Sequence, residues 1–181
     1  MMKTKLLILI ALLTSTASFG QENQKTMTEI IDKQHIKEVV TNIFVGTDSQ
    51  HWEQVEGAFA SEVLLDYTSM AGGAPAKLAP QQITESWKTI LPGFDHTHHA
   101  ITNFSIEVND DEARVFHYGN AEHYLTQSEG GNLWTVVGTY EHHLIKENDV
   151  WKVDQMKFNL KYTTGNMDLP RYAQEKVKQS K

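Results

Sequence analysis

Apolar residues recur at helical spacing through the first half of this chain and alternate with polar ones through the second. Residues 28 to 48 carry Ile30, Ile31, Val39, Val40, Ile43 and Phe44 at positions that share one helical face, which predicts a first helix. Residues 50 to 60, with Trp52, Val55, Ala58 and Phe59 on one side, predict a shorter second helix. A strand follows over 62 to 67, then a Gly- and Ala-rich loop over 69 to 79. Pro80 opens a third helix, a position that needs no main-chain N–H. Its buried side is Ile83, Trp87, Ile90 and Leu91, and Pro92-Gly93 ends it.

From His96 onward the period changes to two. Four long strands are predicted over 97–108, 112–127, 132–146 and 150–163, joined by turns at 109–111, 128–131 and 148–149. Helices set against an antiparallel sheet make the fold class α+β. Long strands twist and curl, so the helices pack into the concave face of the sheet and leave a cone-shaped barrel with one apolar cavity. The predicted domain runs over 28–163, with a polar tail or frayed helix over 164–181.

The N-terminus has its own pattern. Lys3 and Lys5 precede an unbroken apolar run from Leu6 to Leu13, too short to span a bilayer, and Ser18 and Gly20 are small. This is the form of a secretory signal peptide over residues 1–20, cut before Gln21, with a polar leader over 21–27. The expected location is periplasmic or secreted, with no membrane attachment after cleavage.

Composition narrows the chemistry. The chain has 181 residues and no Cys, which excludes disulfides, thiol nucleophiles and cysteine-held metals. Its net charge of -7 argues against nucleic acid and anionic lipid as partners. Nine His remain as the main source of reactivity. His96 and His98 share a strand face, but the adjacent His142 and His143 point to opposite faces, so neither a metal nor a cofactor is expected. Alternation puts His99 with Ile101 and Asn103 on one face and His98 with Ala100 and Phe104 on the other; either face can line the cavity. Val115, His117, Gly119, Ala121 and His123 form the small, apolar face of the next strand, as a cavity wall would. Asp48, at the end of the first helix, either points into the domain mouth or caps the following helix. Tyr67 offers a phenol to a ligand oxygen, and Trp87 is core or cavity lining.

Asp48, Trp52 and Leu65-Asp66-Tyr67 after Ala58-Phe59-Ala60, together with His99-Ala100-Ile101-Thr102-Asn103, resemble the SnoaL-like branch of the nuclear transport factor two-like superfamily. Gly138-Thr139-Tyr140 and Asp149-Val150-Trp151-Lys152 resemble the last hairpin of that group. Within it, the resemblance is to scytalone dehydratase and related lyases. The resemblance implies an Asp48–His99 pair in which His99 removes a proton, with His123 and Tyr67 as helpers. The candidate substrate-binding residues are Tyr140, His117, Trp87 and Asn103. Thr47, Gly138 and Tyr140 stand where scytalone dehydratase carries Tyr, Ser and Asn. The function expected is therefore elimination on a hydrophobic or aromatic oxygenated small molecule. Ligand binding without catalysis, or isomerisation by the same base, are the alternatives. The resemblance also implies a homo-oligomer, a dimer or a trimer.

Overall fold

The computed structural model describes the backbone of residues 2–126 and 129–180, and the side chains at 24, 26–126 and 129–180. Helix α1 spans Met2–Asp48. It therefore runs through both the predicted signal segment and the leader, and the side chains on which the signal reading rests lie outside the described residues. Its buried stripe is Ile36, Val40, Ile43, Phe44 and Thr47. Ile30 and Ile31, expected on that stripe, are 57% and 47% exposed. The reason is the length of the sheet. Asp32 accepts hydrogen bonds from Trp151 Nε1 at 2.8 Å and Lys146 Nζ at 3.1 Å, which ties the helix to the sheet, and residues before Asp32 lie N-terminal to that anchor.

Helix α2 (Trp52–Ala58) turns back under Val55 and leads directly into strand β1 (Phe59–Asp66). The predicted loop holds a one-turn helix α3 (Thr68–Ala71) and a short strand β2 (Ala76–Leu78). Such pieces are too short to show a period in sequence. Helix α4 starts at Pro80 as expected but ends at Trp87, and a 3-10 turn over Leu91–Gly93 follows. The meander comprises β3 (His96–Asn109), β4 (Glu112–Tyr124), β5 (Leu133–Glu147) and β6 (Val150–Gly165).

The six strands are ordered β2-β1-β6-β5-β4-β3. The expected antiparallel sheet is in fact mixed, because β1 pairs parallel to β6, with Leu64 opposite Gln155 and Leu65 opposite Met156. The sheet is curled, not closed: β2 and β3 are its two edges. Along β4 every second residue from Ala113 to His123 is buried, as alternation predicted. On β3 the parity breaks. Asn103 has φ +58°, and the pairing with β4 slips between Thr102 and Ser105, which is a bulge. Phe104 consequently turns inward and stacks on His117 at 4.9 Å, while Asn103 is left exposed. Asn tolerates this left-handed backbone better than most residues.

The polar C-terminal segment is a docked helix rather than a tail. Helix α5 (Leu169–Gln179) buries Leu169 and Ala173 completely against Phe94 and Leu125. Lys176 Nζ donates to Asp95 Oδ1 at 2.6 Å, and Asp95 also accepts from Thr126 N at 2.9 Å. The Lys176 and Thr126 hydrogen bonds hold the Asp95 carboxyl down at about 2. Gly93 sets how close α5 can come, since a Cβ there would overlap the Ala173 carbonyl. Gly93→Ala is expected to destabilise the protein by about 2 kcal/mol in urea denaturation, through overpacking of backbone on backbone. Gly57→Ala, where a Cβ meets nothing within 4 Å, is expected to be neutral or stabilising by up to about 1 kcal/mol. Equal effects of the two would contradict this account of α5 docking.

Candidate active site

The sheet's concave face, the end of α1, α3 and α4 enclose a cavity of about 300 Å³. Its walls are mainly apolar, with Phe44, Leu65, Trp87, Trp134 and Phe158 among them. The polar groups that reach it are few: Thr47, Tyr67, Ser86, His99, His123 and Tyr140.

Asp48 and His99 meet at this cavity. Asp48 Oδ1 lies 2.6 Å from His99 Nδ1, and Asp48 Oδ2 accepts the His99 main-chain N–H at 2.7 Å. The alternative of Asp48 as a cap is thereby answered: α2 has no side-chain cap. Burial alone would raise the Asp48 carboxyl. The hydrogen bonds and charge of His99, with a smaller contribution from Thr97, outweigh it and leave the carboxyl below its ordinary value. An ionised Asp48 can only accept, so Nδ1 of a neutral His99 carries the proton and Nε2 keeps its lone pair. Phe44 packs against the His99 ring, at 5.7 Å between centroids.

His123 is on the same wall, its ring edge-on to His99 at 5.8 Å and packed against Trp134 at 4.6 Å. It is 5% exposed, and its Nδ1 is buried without a partner. Burial first, and then the neighbouring His99, lower its pKa to about 4. At neutral pH it is an uncharged imidazole, which can exchange hydrogen bonds with a ligand but holds no spare proton as a cation. Tyr67 and Tyr140 also line the cavity, with ring centroids 6.5 Å apart. Burial raises both phenols above their ordinary range, so they remain protonated. Trp87 lines the cavity as expected.

Two expected site residues are elsewhere. Asn103 is on the exposed bulge. His117 is fully buried behind Tyr140, with its ring stacked 5.1 Å from that of Tyr140. His117 Nδ1 lies 3.0 Å from the Tyr118 carbonyl, and its Nε2 lies 3.0 Å from Nε2 of His142. A carbonyl only accepts, so His117 Nδ1 donates, its Nε2 accepts, and His142 Nε2–H is the donor between the rings. That leaves His142 Nδ1 buried and unpartnered. Sequence reasoning missed this pair. Its signal was the register of β4 and β5, which puts Val115 opposite His142 and His117 opposite Tyr140 on the inward face. Met70 and Ala71, also on the cavity wall, were hidden in the predicted loop.

The model of the SnoaL-like domain matches residues 28–157. The chain belongs to the SnoaL-like family. No curated protein sequence matches this SnoaL-like chain. Solved structures that resemble it share the fold at low identity. The Kfla4162 protein from Kribbella flavida superposes with a TM-score of 0.74 at 23% identity, over 79% of this chain and 99% of that one. A scytalone-dehydratase-like protein from Novosphingobium aromaticivorans gives 0.66 at 22% identity, over 77% and 91%. A type 2 hexachlorocyclohexane dehydrochlorinase, LinA, gives 0.66 at 16% identity, over 77% and 91%. The SnoaL-like chain thus has the helix-lined, curled sheet of the nuclear transport factor two-like superfamily.

The buried imidazoles make stability pH-dependent. His117 and His123 are lowered to about 4, chiefly by burial, and His142 well below its ordinary value by burial and by His117. In the unfolded chain each titrates near ~6.5. Between those values the unfolded state binds more protons, so stability is full above about pH 6.5 and falls as pH drops toward 4. Urea midpoints measured across this window are expected to decrease with acid, and NMR is expected to show His117 and His123 neutral at pH 6. Titration of either near 6.5 would contradict the burial described.

Proposed function

We propose that this SnoaL-like protein is an exported lyase that eliminates a leaving group from a hydrophobic, oxygenated small molecule. One observation carries the reading: the Asp48–His99 contact of 2.6 Å at the edge of an apolar cavity. His99 Nε2 would take a proton from a substrate carbon. The C–H electron pair then forms the new carbon–carbon double bond, and the leaving group departs with the pair of its own bond to carbon. Asp48 stays ionised throughout and holds the imidazolium that forms. General-base help of this kind is worth ~10²–10⁴ in rate. The names of two structural neighbours, a dehydratase and a dehydrochlorinase, denote eliminations of this form.

The test is a panel of hydroxylated and halogenated ring compounds, comparing the wild type with His99→Gln and Asp48→Asn. His99→Gln is expected to lower kcat by ~10²–10⁴ and Asp48→Asn to lower it too, with folding retained. Equal turnover by wild type and His99→Gln would remove His99 as the base.

Export is supported by the Lys3–Lys5, Leu6–Leu13 and Ser18–Gly20 pattern. Mass spectrometry of protein recovered from the cell envelope or medium is expected to find Gln21 at the N-terminus. Recovery of a chain that still begins at Met1 would overturn this part of the proposal.

A further inference from the structure

The Asp48 carboxylate fixes where one nitrogen of His99 sits, but not where the rest of the ring points. A hydrogen bond holds Nδ1 at a distance and an angle and leaves the ring free to tilt about that contact. The strand adds little. β3 is an edge of the sheet, paired with β4 alone, and its register slips soon after His99, between Thr102 and Ser105. His99 can act on a bound molecule only while Nε2 faces the cavity.

Two rings pack against the imidazole. His123 stands edge-on at 5.8 Å and comes from β4, where it pairs with Thr97 of β3. It therefore moves with the strand that carries His99. Phe44 lies at 5.7 Å, tilted by 45°, and comes from α1. Residues four apart share a helix face, so Phe44 and Asp48 approach His99 from one helix. Phe44 is itself held firmly. It is 3% exposed and meets three rings nearly at right angles: Tyr140 at 4.9 Å, His117 at 5.4 Å and His142 at 6.3 Å. These belong to β4 and β5, inside the sheet. Phe44 thus braces an imidazole on the edge strand against the interior of the domain. A phenyl ring offers no hydrogen bond to His99, so the restraint is steric.

We infer that Phe44 is the positioning residue of His99, a wedge that sets the direction of Nε2 while Asp48 sets the tautomer. The inference deepens the lyase reading and rests on it only for its kinetic consequence. Tautomer and direction are separate properties of one ring, held by two side chains of one helix, and each can be removed without the other.

NMR of the His99 ring tests this without turnover. Ring ¹⁵N shifts report the tautomer, and ¹³C relaxation at Cε1 reports how far the ring moves. Phe44→Leu is expected to keep the Nδ1–H tautomer while the ring order parameter falls below about 0.6, the flexible range. Asp48→Asn is expected to do the reverse. Its amide can donate to Nδ1, which favours the Nε2–H tautomer, while Phe44 keeps the ring ordered. Phe44→Met, an unbranched replacement, is expected to behave as Phe44→Leu does and replaces it if the Leu variant unfolds. Leu144→Ala removes a fully buried side chain that is not among the described cavity-lining residues, and is expected to leave both signals at their wild-type values. Thermal denaturation of each variant shows that the fold is retained. Wild-type ring order in the Phe44 variants, or an equal loss of order in Leu144→Ala, would overturn the inference. With any compound of the panel that the wild type turns over, Phe44→Leu is expected to lower kcat by about tenfold or more, as misplacement of a reacting group does. Unchanged kcat would also overturn it. The lyase reading fails separately, on equal turnover by His99→Gln, and the NMR result decides the role of Phe44 in either case.

Discussion

Asp48 holds the last turn of α1 to the edge strand β3 through a single residue, accepting both the main-chain N–H and the ring Nδ1–H of His99. Hydrogen bonds to an ionised acceptor contribute about 1.5–3 kcal/mol each, more than neutral ones. The two bonds do different jobs. The main-chain bond fixes where the helix end sits along the strand, which in turn sets Phe44 and Thr47 at the cavity. The ring bond fixes which nitrogen of His99 is protonated. Loss of the carboxylate would loosen both at once, so the shape of the chamber and the tautomer of the His99 ring share one anchor.

The remainder of the chamber is electrically quiet. His123 and the His117–His142 pair are kept neutral by burial, and the two tyrosines are kept protonated by it. A single fixed negative charge therefore stands against a set of neutral dipoles. In such surroundings a positive charge on His99, which the proposed elimination would create, would be stabilised mainly by Asp48.

Legibility in the sequence followed how local each determinant was. The β4 face from Ala113 to His123 was readable because strict alternation is a property of one strand. Val40, Ile43 and Phe44 were readable for the same reason on a helix. Ile30 and Ile31 were not, because their exposure depends on where the sheet lies against α1, a fact of tertiary structure. Asn103 misled because one positive φ reverses inside and outside for the rest of its strand. Leu169 and Ala173 are two buried residues in a largely polar helix, and their close docking depends on Gly93, some eighty positions earlier in the chain. The Asp48–His99 pair came from a family resemblance, since alternation alone left both faces of the strand open. The His117–His142 pair needs the exact register of two strands, which composition does not encode.

The parallel pairing of β1 with β6 also constrains time. Leu65 and Tyr67, at the end of β1, share the cavity wall with Met156 and Phe158, roughly ninety positions later. A chain emerging from the ribosome can form α1, α2 and the first hairpins, but it has no chamber until β6 is free to slide between β5 and β1. Long-range closure of this kind slows folding, because the loop must be brought together before its contacts reward it. Any segment that keeps the chain unfolded during synthesis therefore competes only with partial structures, never with a finished cavity.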